Sequence, residues 1–276
     1  MTDRRLFRSN GRVADACLRG TVMADRFEVG TLKQCALPVA DLCSRPDGTR
    51  DKQMVFGQAF QVLESLEGWC FGYDPIDGYV GYLPQDVLID PLTPTHRVSV
   101  RSGHVYSKAD MKSAELISLP FGARLSATDG TGFLRLETGG FVAQQHVCSI
   151  ETRSKDPALV AEMFLGTPYL WGGNTGFGID CSGLVQMALQ VCGVRSPRDS
   201  DHQFKEWPPL KDGAALRRGD LVFWEGHVGM MLDPVTLIHA NAHHMQVAIE
   251  PLTQAKARIA AKEFGDMIGV ARPLVD

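Results

Sequence analysis

The sequence predicts an α+β protein whose first half consists of strands and whose second half combines helices with an antiparallel sheet. In the first half, short apolar stretches alternate with turn sequences such as Pro46-Asp47-Gly48 and Glu67-Gly68. The same region contains a weak internal repeat of about 55 residues. From about Lys155, helical patterns come first and several strands follow, which is typical of an α+β layout.

The repeat predicts two small all-β barrels in tandem. Both units contain a Phe-Gly step, and both close on a Gly-aromatic-Val sequence (Phe56-Gly57 and Gly78-Tyr79-Val80; Phe121-Gly122 and Gly140-Phe141-Val142). No helical crossover separates their strands, so a parallel sheet is not expected. We assign the first barrel to 33–92, the second to 93–151, and an extension that packs on the barrels to 1–32.

The remaining region, 152–276, is predicted to form a third domain. A helix is expected from Pro157 to Leu165, with Asp156 as its cap and Gly166 as its stop. A second helix starts at Cys181 and stops near Gly193, and a polar loop over 196–203 follows. The predicted strands cover 221–224, 228–232, 236–240, 247–249 and 268–271.

Composition excludes several classes of protein. The chain has 276 residues, 44% hydrophobic and 22% charged, and a net charge of −4, which favours neither nucleic acid nor an anionic membrane as a partner. We expect neither a secretory signal, because the N-terminus is charged throughout, nor a membrane span, which needs about 18 apolar residues. The seven cysteines are odd in number and scattered, and they indicate a reducing cytoplasm.

Cys181 is the most informative residue. It lies in Asp180-Cys181-Ser182-Gly183, between a glycine-rich approach and a helical pattern. In the first turn of a helix, unpaired N–H groups and the positive end of the dipole favour a thiolate. The sequence therefore predicts a nucleophilic cysteine, whereas most lone cysteines are small buried residues.

Two histidines are candidates for the general base and its orienting partner. His227 opens one predicted strand, His239 closes the next, and each is six residues from Asp233. A hairpin centred at Asp233 would place the histidines directly opposite each other on one face. A centre half a residue later would place them on opposite faces and would exclude a Cys–His–His relay.

The stretch from Gly166 to Gln203, together with the sequences around both histidines, resembles the NlpC family of papain-like cysteine peptidases. The first half resembles the bacterial SH3-like domains that accompany that family. The resemblance implies that Cys181 is the nucleophile, His227 the base and His239 its orienter. It also implies that Tyr169, twelve residues before the cysteine, helps the Cys181 N–H to stabilise the oxyanion.

A narrower resemblance rests on the RDSxxQ sequence that starts at Arg198. It implies a peptidase that cleaves γ-D-Glu–diamino acid bonds (meso-diaminopimelate or Lys) in muropeptides with a free N-terminal L-Ala. Asp199 would pair with the substrate ammonium, and the hydroxyls of Ser182 and Ser200 would bind the D-Glu carboxylate. Asp180 and the aromatic Trp171 are expected to line the same cleft.

In that subgroup the first SH3-like domain closes the site, so that a dipeptide is released. Tyr79 is the expected contributor, with Tyr82 as the alternative. Relatives often carry an acidic residue where this chain has Gln58, which puts a second negative charge from that domain in doubt. The implied role is murein peptide recycling in the cytoplasm, without a cofactor.

Other interpretations stay open. The same triad could act on another amide or transfer an acyl group, or the chain could be a non-catalytic cell-wall-binding module. The HxxxHH sequence from His239 lacks the glutamate of HExxH, and we predict no metal site. The glycines near Trp171 lack the lysine of a phosphate-binding loop. The sequence does not indicate an oligomeric state.

Overall fold

The structure is a computed structural model that describes residues 3–128, 130–211 and 213–275. The chain divides into two compact units, Met1–Glu151 and Thr152–Asp276. The first unit contains the strands predicted for the repeat. The second contains the longer helices and the sheet predicted for the third domain.

The extension before the first repeat packs on the first SH3-like domain. Its strands β1 (Val13–Asp15) and β2 (Arg26–Glu28) pair in parallel, and a short 3₁₀ helix, Ala16–Leu18, lies between them. Val13 is buried in a cluster with Leu63, Phe71 and Val80 of the following domain. Burial of Val13 against these side chains anchors the extension through the hydrophobic effect.

The first SH3-like domain is a seven-stranded antiparallel sheet in the order β5-β4-β8-β7-β6-β3-β9. Its core includes the fully buried side chains of Leu42, Met54, Phe60 and Leu83. A 3₁₀ helix, Gln85–Val87, precedes the last strand. The strands are β3 (Thr31–Cys35), β4 (Val39–Cys43), β5 (Arg50–Val55), β6 (Ala59–Leu66), β7 (Trp69–Tyr73), β8 (Val80–Pro84) and β9 (Leu88–Ile89).

The expectation of closed barrels is wrong. Among the described strands, β5 pairs only with β4 and β9 only with β3, so the two edges of this sheet do not meet. Closing the ladder would require a longer edge strand than β9, whose two residues are soon followed by Pro91, which has no N–H to donate.

The second repeat, 93–151, consists of two small sheets around a core that includes Val98, Leu125, Leu134 and Val142. One sheet has the order β12-β11-β16-β15-β14 and the other β13-β10-β17. A 3₁₀ helix covers Gln144–His146. The strands are β10 (His96–Val98), β11 (Ser102–Tyr106), β12 (Glu115–Pro120), β13 (Arg124–Leu125), β14 (Ala127–Thr128), β15 (Phe133–Leu136), β16 (Phe141–Ala143) and β17 (Val147–Ser149).

The Phe56-Gly57 step of the first repeat contacts the second repeat. Phe56 packs in the core of the second repeat, and its carbonyl accepts a hydrogen bond from the Arg124 N–H at 2.8 Å. Gly57 has a φ of +72°, and a Cβ there would lie 2.0 Å from the Arg124 carbonyl oxygen. Only glycine fits this approach of two backbones.

The second unit contains four α-helices and a five-stranded antiparallel sheet among its described residues. The helices are α1 (Pro157–Glu162), α2 (Cys181–Val191), α3 (Ser200–Glu206) and α4 (Leu252–Lys262). A two-stranded ladder of β18 (Asn174–Thr175) and β19 (Gly178–Ile179) precedes α2. The main sheet has the order β23-β22-β21-β20-β24, formed by β20 (Leu221–Trp224), β21 (His227–Met231), β22 (Thr236–Asn241), β23 (Gln246–Pro251) and β24 (Gly269–Ala271).

The first helix begins where its capping signals predicted. The Asp156 carboxylate accepts hydrogen bonds from the N–H groups of Ala158 and Leu159, and Pro157 occupies the first turn. The helix ends at Glu162, before the predicted Leu165.

Two helices were not predicted. Part of the segment expected as a polar loop, 196–203, is the start of α3. Leu252, Ala255 and Ile259 of α4 share one helix face, which packs on Trp224 and Leu237 of the sheet. That face follows helical spacing, so the sequence did contain a signal for α4.

No helix among the described residues is both long and apolar enough to span a membrane. All seven cysteines are free thiols, with Cys17 exposed and Cys148 partly exposed.

Candidate active site

Cys181 is the first residue of α2 and is buried, with 6% of its surface exposed. Its N-cap is Asp180, whose Oδ1 accepts a hydrogen bond from the Gly183 N–H at 2.7 Å. The Cys181 sulfur also interacts with the backbone N–H of Val228, the residue after His227. The fold thus brings the thiol to the start of β21, next to one of the predicted histidines.

The protonation of Cys181 differs from the prediction. Burial, followed by the nearby charge of Asp180, raises the pKa of the thiol to about 12, although the Val228 and Ser182 backbone groups and Arg198 act in the opposite direction. The N–H groups at the helix start thus favour the thiolate, as predicted, but desolvation of the buried sulfur has the larger effect on the pKa. A base must take the thiol proton during attack.

The two histidines are in direct contact: His227 Nε2 lies 2.8 Å from His239 Nδ1. Both are buried. The prediction that they share a face of the hairpin is confirmed. The prediction that they lie directly opposite is wrong, because Met230 pairs with Ile238 and Met231 with Leu237.

That register centres the hairpin one residue later than expected, at Pro234. A shift by a whole residue moves the histidines to diagonal positions but leaves them on one face. Asp233 still forms the turn, since its Oδ1 accepts hydrogen bonds from the N–H groups of Val235 and Thr236, both at 2.8 Å.

A carboxylate that the sequence reasoning missed completes the chain of contacts. Oε1 of Glu250, on β23, lies 2.7 Å from His239 Nε2 and accepts a hydrogen bond from Arg258 Nη2 of α4 at 2.5 Å. Arg258 also pairs with Glu263. Only the pairing of β22 with β23 brings Glu250 to this place, so nothing in the local sequence could have indicated it.

Aromatic rings surround the imidazole of His227. Phe264 stacks on it with a centroid distance of 5.4 Å and an interplanar angle of 8°, and Trp224 lies 5.6 Å away. Burial lowers the pKa of His227 well below 6.5 and, less strongly, that of His239. Both imidazoles are therefore neutral at rest, and His227 can accept a proton.

A buried ion pair supports the start of α2. The guanidinium of Arg198 donates to both oxygens of the Asp180 carboxylate, at 2.9 and 2.8 Å, to the Ser182 hydroxyl at 2.9 Å and to the Gly173 carbonyl at 3.1 Å. Gln203 donates to the Ser182 carbonyl at 2.9 Å. The two ends of the RDSxxQ sequence therefore bind the nucleophile segment itself.

The other predicted residues of this unit differ in burial. Asp180 and Ser182 are buried, and the Ser182 hydroxyl is already hydrogen bonded to Asp180 at 3.3 Å. Ser200 is the first residue of α3 and Asp199 precedes it at the N-cap position, and both are partly exposed. Trp171 is 69% exposed. Their contacts with a substrate stay predictions.

The hydroxyl of Tyr169 interacts electrostatically with Cys181. Burial raises the pKa of the Tyr169 hydroxyl, and the neighbouring Cys181 raises it further. A hydroxyl that keeps its proton can donate a hydrogen bond, as a role at the oxyanion requires. That role stays a prediction.

In the first unit, Tyr79 is 2% exposed and belongs to the core of the first SH3-like domain. Its loop is held by a buried charged cluster in which Lys52 Nζ donates to Asp74 and Asp77, at 2.5 Å each. Gln58 donates to Asp74 at 2.7 Å. Gln58 thus stabilises this charged cluster by a hydrogen bond. The role predicted for Tyr79 at a substrate stays a prediction.

The buried thiol lies at a helix N-terminus, beside a strand that begins with one of two contacting histidines. This combination of a nucleophile, a base and an orienting residue is typical of cysteine hydrolases. Residues 166–262 match the NlpC/P60 family, and residues 42–88 match the bacterial dipeptidyl-peptidase Sh3 domain. The chain therefore carries a bacterial dipeptidyl-peptidase SH3 domain followed in sequence by an NlpC/P60 domain.

Named relatives extend over most of the chain. It is 27% identical over 245 residues to dipeptidyl-peptidase 6 of Lysinibacillus sphaericus, covering 78% of this chain and 90% of that one. It is 28% identical over 243 residues to γ-D-glutamyl-L-lysine dipeptidyl-peptidase of Bacillus subtilis, covering 77% and 79%. The crystal structure of an NlpC/P60 family protein from Bacillus cereus shares the fold, with a TM-score of 0.73, 21% identity, and coverage of 88% and 100%.

Proposed function

We propose that the protein is a cysteine peptidase of cell-wall peptides. It hydrolyses the γ-D-Glu–diamino acid bond (meso-diaminopimelate or Lys) of peptides with a free N-terminal L-Ala and releases L-Ala-γ-D-Glu. The observation that carries this proposal is the buried thiol of Cys181 next to the strand of His227, whose ring contacts His239 at 2.8 Å. The names of the relatives that match over most of the chain support this substrate class.

The reaction begins with proton transfer from the Cys181 thiol to His227 as the sulfur attacks the γ-carbonyl carbon of D-Glu. The tetrahedral oxyanion accepts hydrogen bonds from the Cys181 N–H and the Tyr169 hydroxyl. The Cys181 N–H can donate to the oxyanion because the N–H groups of the first residues of a helix have no acceptor within the helix.

The amide C–N bond then breaks, and the amine of the diamino acid leaves with the proton from His227. The product at this stage is a thioester between Cys181 and the dipeptide. His227 next takes a proton from a water molecule, which attacks the thioester and regenerates the thiol.

The RDSxxQ segment supports selection of the peptide's amino end. Asp199 and Ser200 are partly exposed at the start of α3, whereas Arg198 is buried behind the nucleophile. An anionic Asp199 pairs with the free ammonium of L-Ala, and an N-acetyl group would remove that charge.

The proposed setting is murein peptide recycling in the cytoplasm. Seven free cysteines, including the exposed Cys17, support a reducing compartment, where thiols persist. A catalytic thiol would also be protected from oxidation there.

Mass spectrometry of products from defined peptides tests the proposal. L-Ala-γ-D-Glu-meso-diaminopimelate and its Lys counterpart are incubated with wild type, Cys181→Ala and the control Cys17→Ser, which changes a thiol that is exposed. We expect L-Ala-γ-D-Glu from wild type and from the control, and none from Cys181→Ala.

The same experiment includes the N-acetylated peptides. Equal hydrolysis of free and N-acetylated peptide would contradict recognition of the amino end and would indicate a different amide hydrolase or an acyltransferase. Binding of the peptide without hydrolysis by wild type would indicate a non-catalytic wall-binding module. Full hydrolysis by Cys181→Ala would reject the catalytic assignment.

A further inference from the structure

The hydrogen bonds around His239 constrain where the protons of the two imidazoles lie. Glu250 accepts from Arg258, and burial, opposed by hydrogen bonds from His239 and Arg258, leaves the pKa of its carboxyl at about 2. An ionised carboxylate can only accept hydrogen bonds. His239 Nε2, 2.7 Å from Glu250 Oε1, must therefore carry a proton.

The remaining positions follow from the same rule. In a neutral imidazole with a proton on Nε2, Nδ1 is an acceptor. His239 Nδ1 thus accepts the hydrogen bond from His227 Nε2, 2.8 Å away, and His227 Nε2 carries the proton. His227 Nδ1 is then the unprotonated nitrogen.

We propose that Glu250 is a positioning residue that fixes the protonation pattern of both histidines, so that Nδ1 of His227 is free to take the thiol proton. This inference rests on the proposed function, because it assumes that Cys181 is the nucleophile. The proton moves from the Cys181 sulfur to His227 Nδ1, and it is not passed on to His239 or to Glu250. Glu250 stays ionised throughout and stabilises the imidazolium by its charge.

The surroundings of the relay are consistent with this role. The charged or titratable groups around His239 are Glu250 from β23, Arg258 from α4, His244 from the turn after β22, and His227 from β21. Glu250 acts to raise the pKa of both His227 and His239, whereas Arg258 acts to lower both. Glu250 is therefore the anion in this set that favours a protonated His227.

Helix α4 holds Glu250 in place. Arg258 connects the carboxylate to α4 and to Glu263 at the end of that helix. Phe264, the next residue, stacks on His227. One segment thus orients both ends of the histidine pair, which is how a relay keeps a fixed geometry.

Two substitutions of Glu250 and one matched control test the inference. Glu250→Gln keeps an oxygen that can accept from His239 but removes the charge, and Glu250→Leu removes the acceptor as well. The control Glu263→Gln removes the other carboxylate that binds Arg258, which pairs with Nη1 of the guanidinium whereas Glu250 pairs with Nη2. Circular dichroism establishes that each variant is folded.

The first measurement is the pH dependence of kcat and KM with the full chain. We expect Glu250→Gln to lower kcat about 10-fold and Glu250→Leu at least about 100-fold, with KM within about 2-fold of wild type, since the loss is confined to the base. The acidic limb of kcat/KM should move to lower pH, because His227 becomes a weaker base. Glu263→Gln should lower kcat less than Glu250→Gln does and should keep the wild-type acidic limb, because it leaves the charge of Glu250 next to His239.

A purely structural role predicts a different profile. Loosening the site would hydrate His227 and move the acidic limb up toward the ordinary histidine pKa of about 6.5. A shift in that direction, or an unchanged profile and kcat in Glu250→Gln, would overturn the inference. If Glu250→Leu does not fold, the Gln variant alone decides.

The second measurement is alkylation of Cys181 by iodoacetamide as a function of pH, followed by mass spectrometry. It needs no peptide, so it is independent of the proposed substrate. We expect slower alkylation at pH 7 in Glu250→Gln than in Glu263→Gln. If no muropeptide is hydrolysed but this difference is found, the substrate proposal fails and the role of Glu250 stands. Equal alkylation rates in the two variants would refute that role.

Discussion

The ion pair of Asp180 and Arg198 offers the sharpest test of how this site is built. Arg198 is 1% exposed, and its guanidinium donates two hydrogen bonds of 2.8 and 2.9 Å to the Asp180 carboxylate, which is itself 7% exposed. In Arg198→Leu the carboxylate keeps its bonds from the Gly172 and Gly183 N–H groups but loses its only described cation partner.

Removing one partner of a buried ion pair costs about 3–5 kcal/mol, because the other charge stays in a poorly solvated site. For the second unit we therefore expect Arg198→Leu to lower Tm by roughly 10–20 °C. Asp180→Asn should cost a similar amount, since it leaves the guanidinium buried. Asp180→Asn/Arg198→Leu removes both charges and keeps an N-cap residue, so its loss should be smaller than the sum of the single losses by at least about 2 kcal/mol.

The assay is thermal unfolding of the full chain by calorimetry, with the four proteins of this cycle compared at one pH. Arg218→Leu is the matched control. Its guanidinium also pairs with two carboxylates, Asp156 and Glu162, but it is 37% exposed, so its loss should not exceed about 1 kcal/mol. Additive losses in the cycle, or a loss in Arg198→Leu no larger than in the control, would refute the reasoning.

Three further predictions concern Lys52, Gly183 and His227. Lys52→Met removes the cation that pairs with the buried carboxylates of Asp74 and Asp77. Because burial raises the pKa of Asp74, its protonation at low pH can remove the uncompensated charge. Urea unfolding should therefore show a larger loss of stability at pH 8 than at pH 5, and an equal loss at both would contradict this. Gly183→Ala places a Cβ 2.5 Å from the Gly173 carbonyl oxygen and should cost about 1–3 kcal/mol in thermal unfolding and reduce peptide hydrolysis; unchanged stability would contradict the close approach. Burial lowers the pKa of His227 well below 6.5, so the stability it contributes is present above pH 6.5 and is lost as the pH falls toward its folded value; His227→Phe should weaken the acid dependence of unfolding, and an unchanged dependence would contradict the burial of a neutral imidazole.

Features that depend on neighbouring residues were predictable from the sequence. The cap of α1 at Asp156 and the start of α2 at Cys181 follow from side chains that bond to backbone groups two or three residues away. The strand over 221–224 was predicted to the residue, because all four of its side chains are buried. The helix α3 was missed because its polar residues favour turns as readily as the first turn of a helix.

Features that depend on register and on burial were not predictable in the same way. A shift of one residue in the hairpin decides whether His227 lies opposite His239 or diagonal to it, and no local signal distinguishes the two. The place of Glu250 depends on the pairing of β23 with β22. The raised pKa of Cys181 depends on how much protein surrounds the sulfur, which a helix position alone does not reveal.

The amino-acid order was therefore sufficient to predict Cys181 at a helix start, two histidines on one face of a hairpin and the α+β layout, because helix caps, turn residues and strand patterns act over a few residues. Only the folded chain shows that Glu250 contacts His239 and that Arg198 pairs with Asp180. These contacts join residues 11 and 18 positions apart, and only the packing of helices and strands sets the distances and the dielectric environment between them.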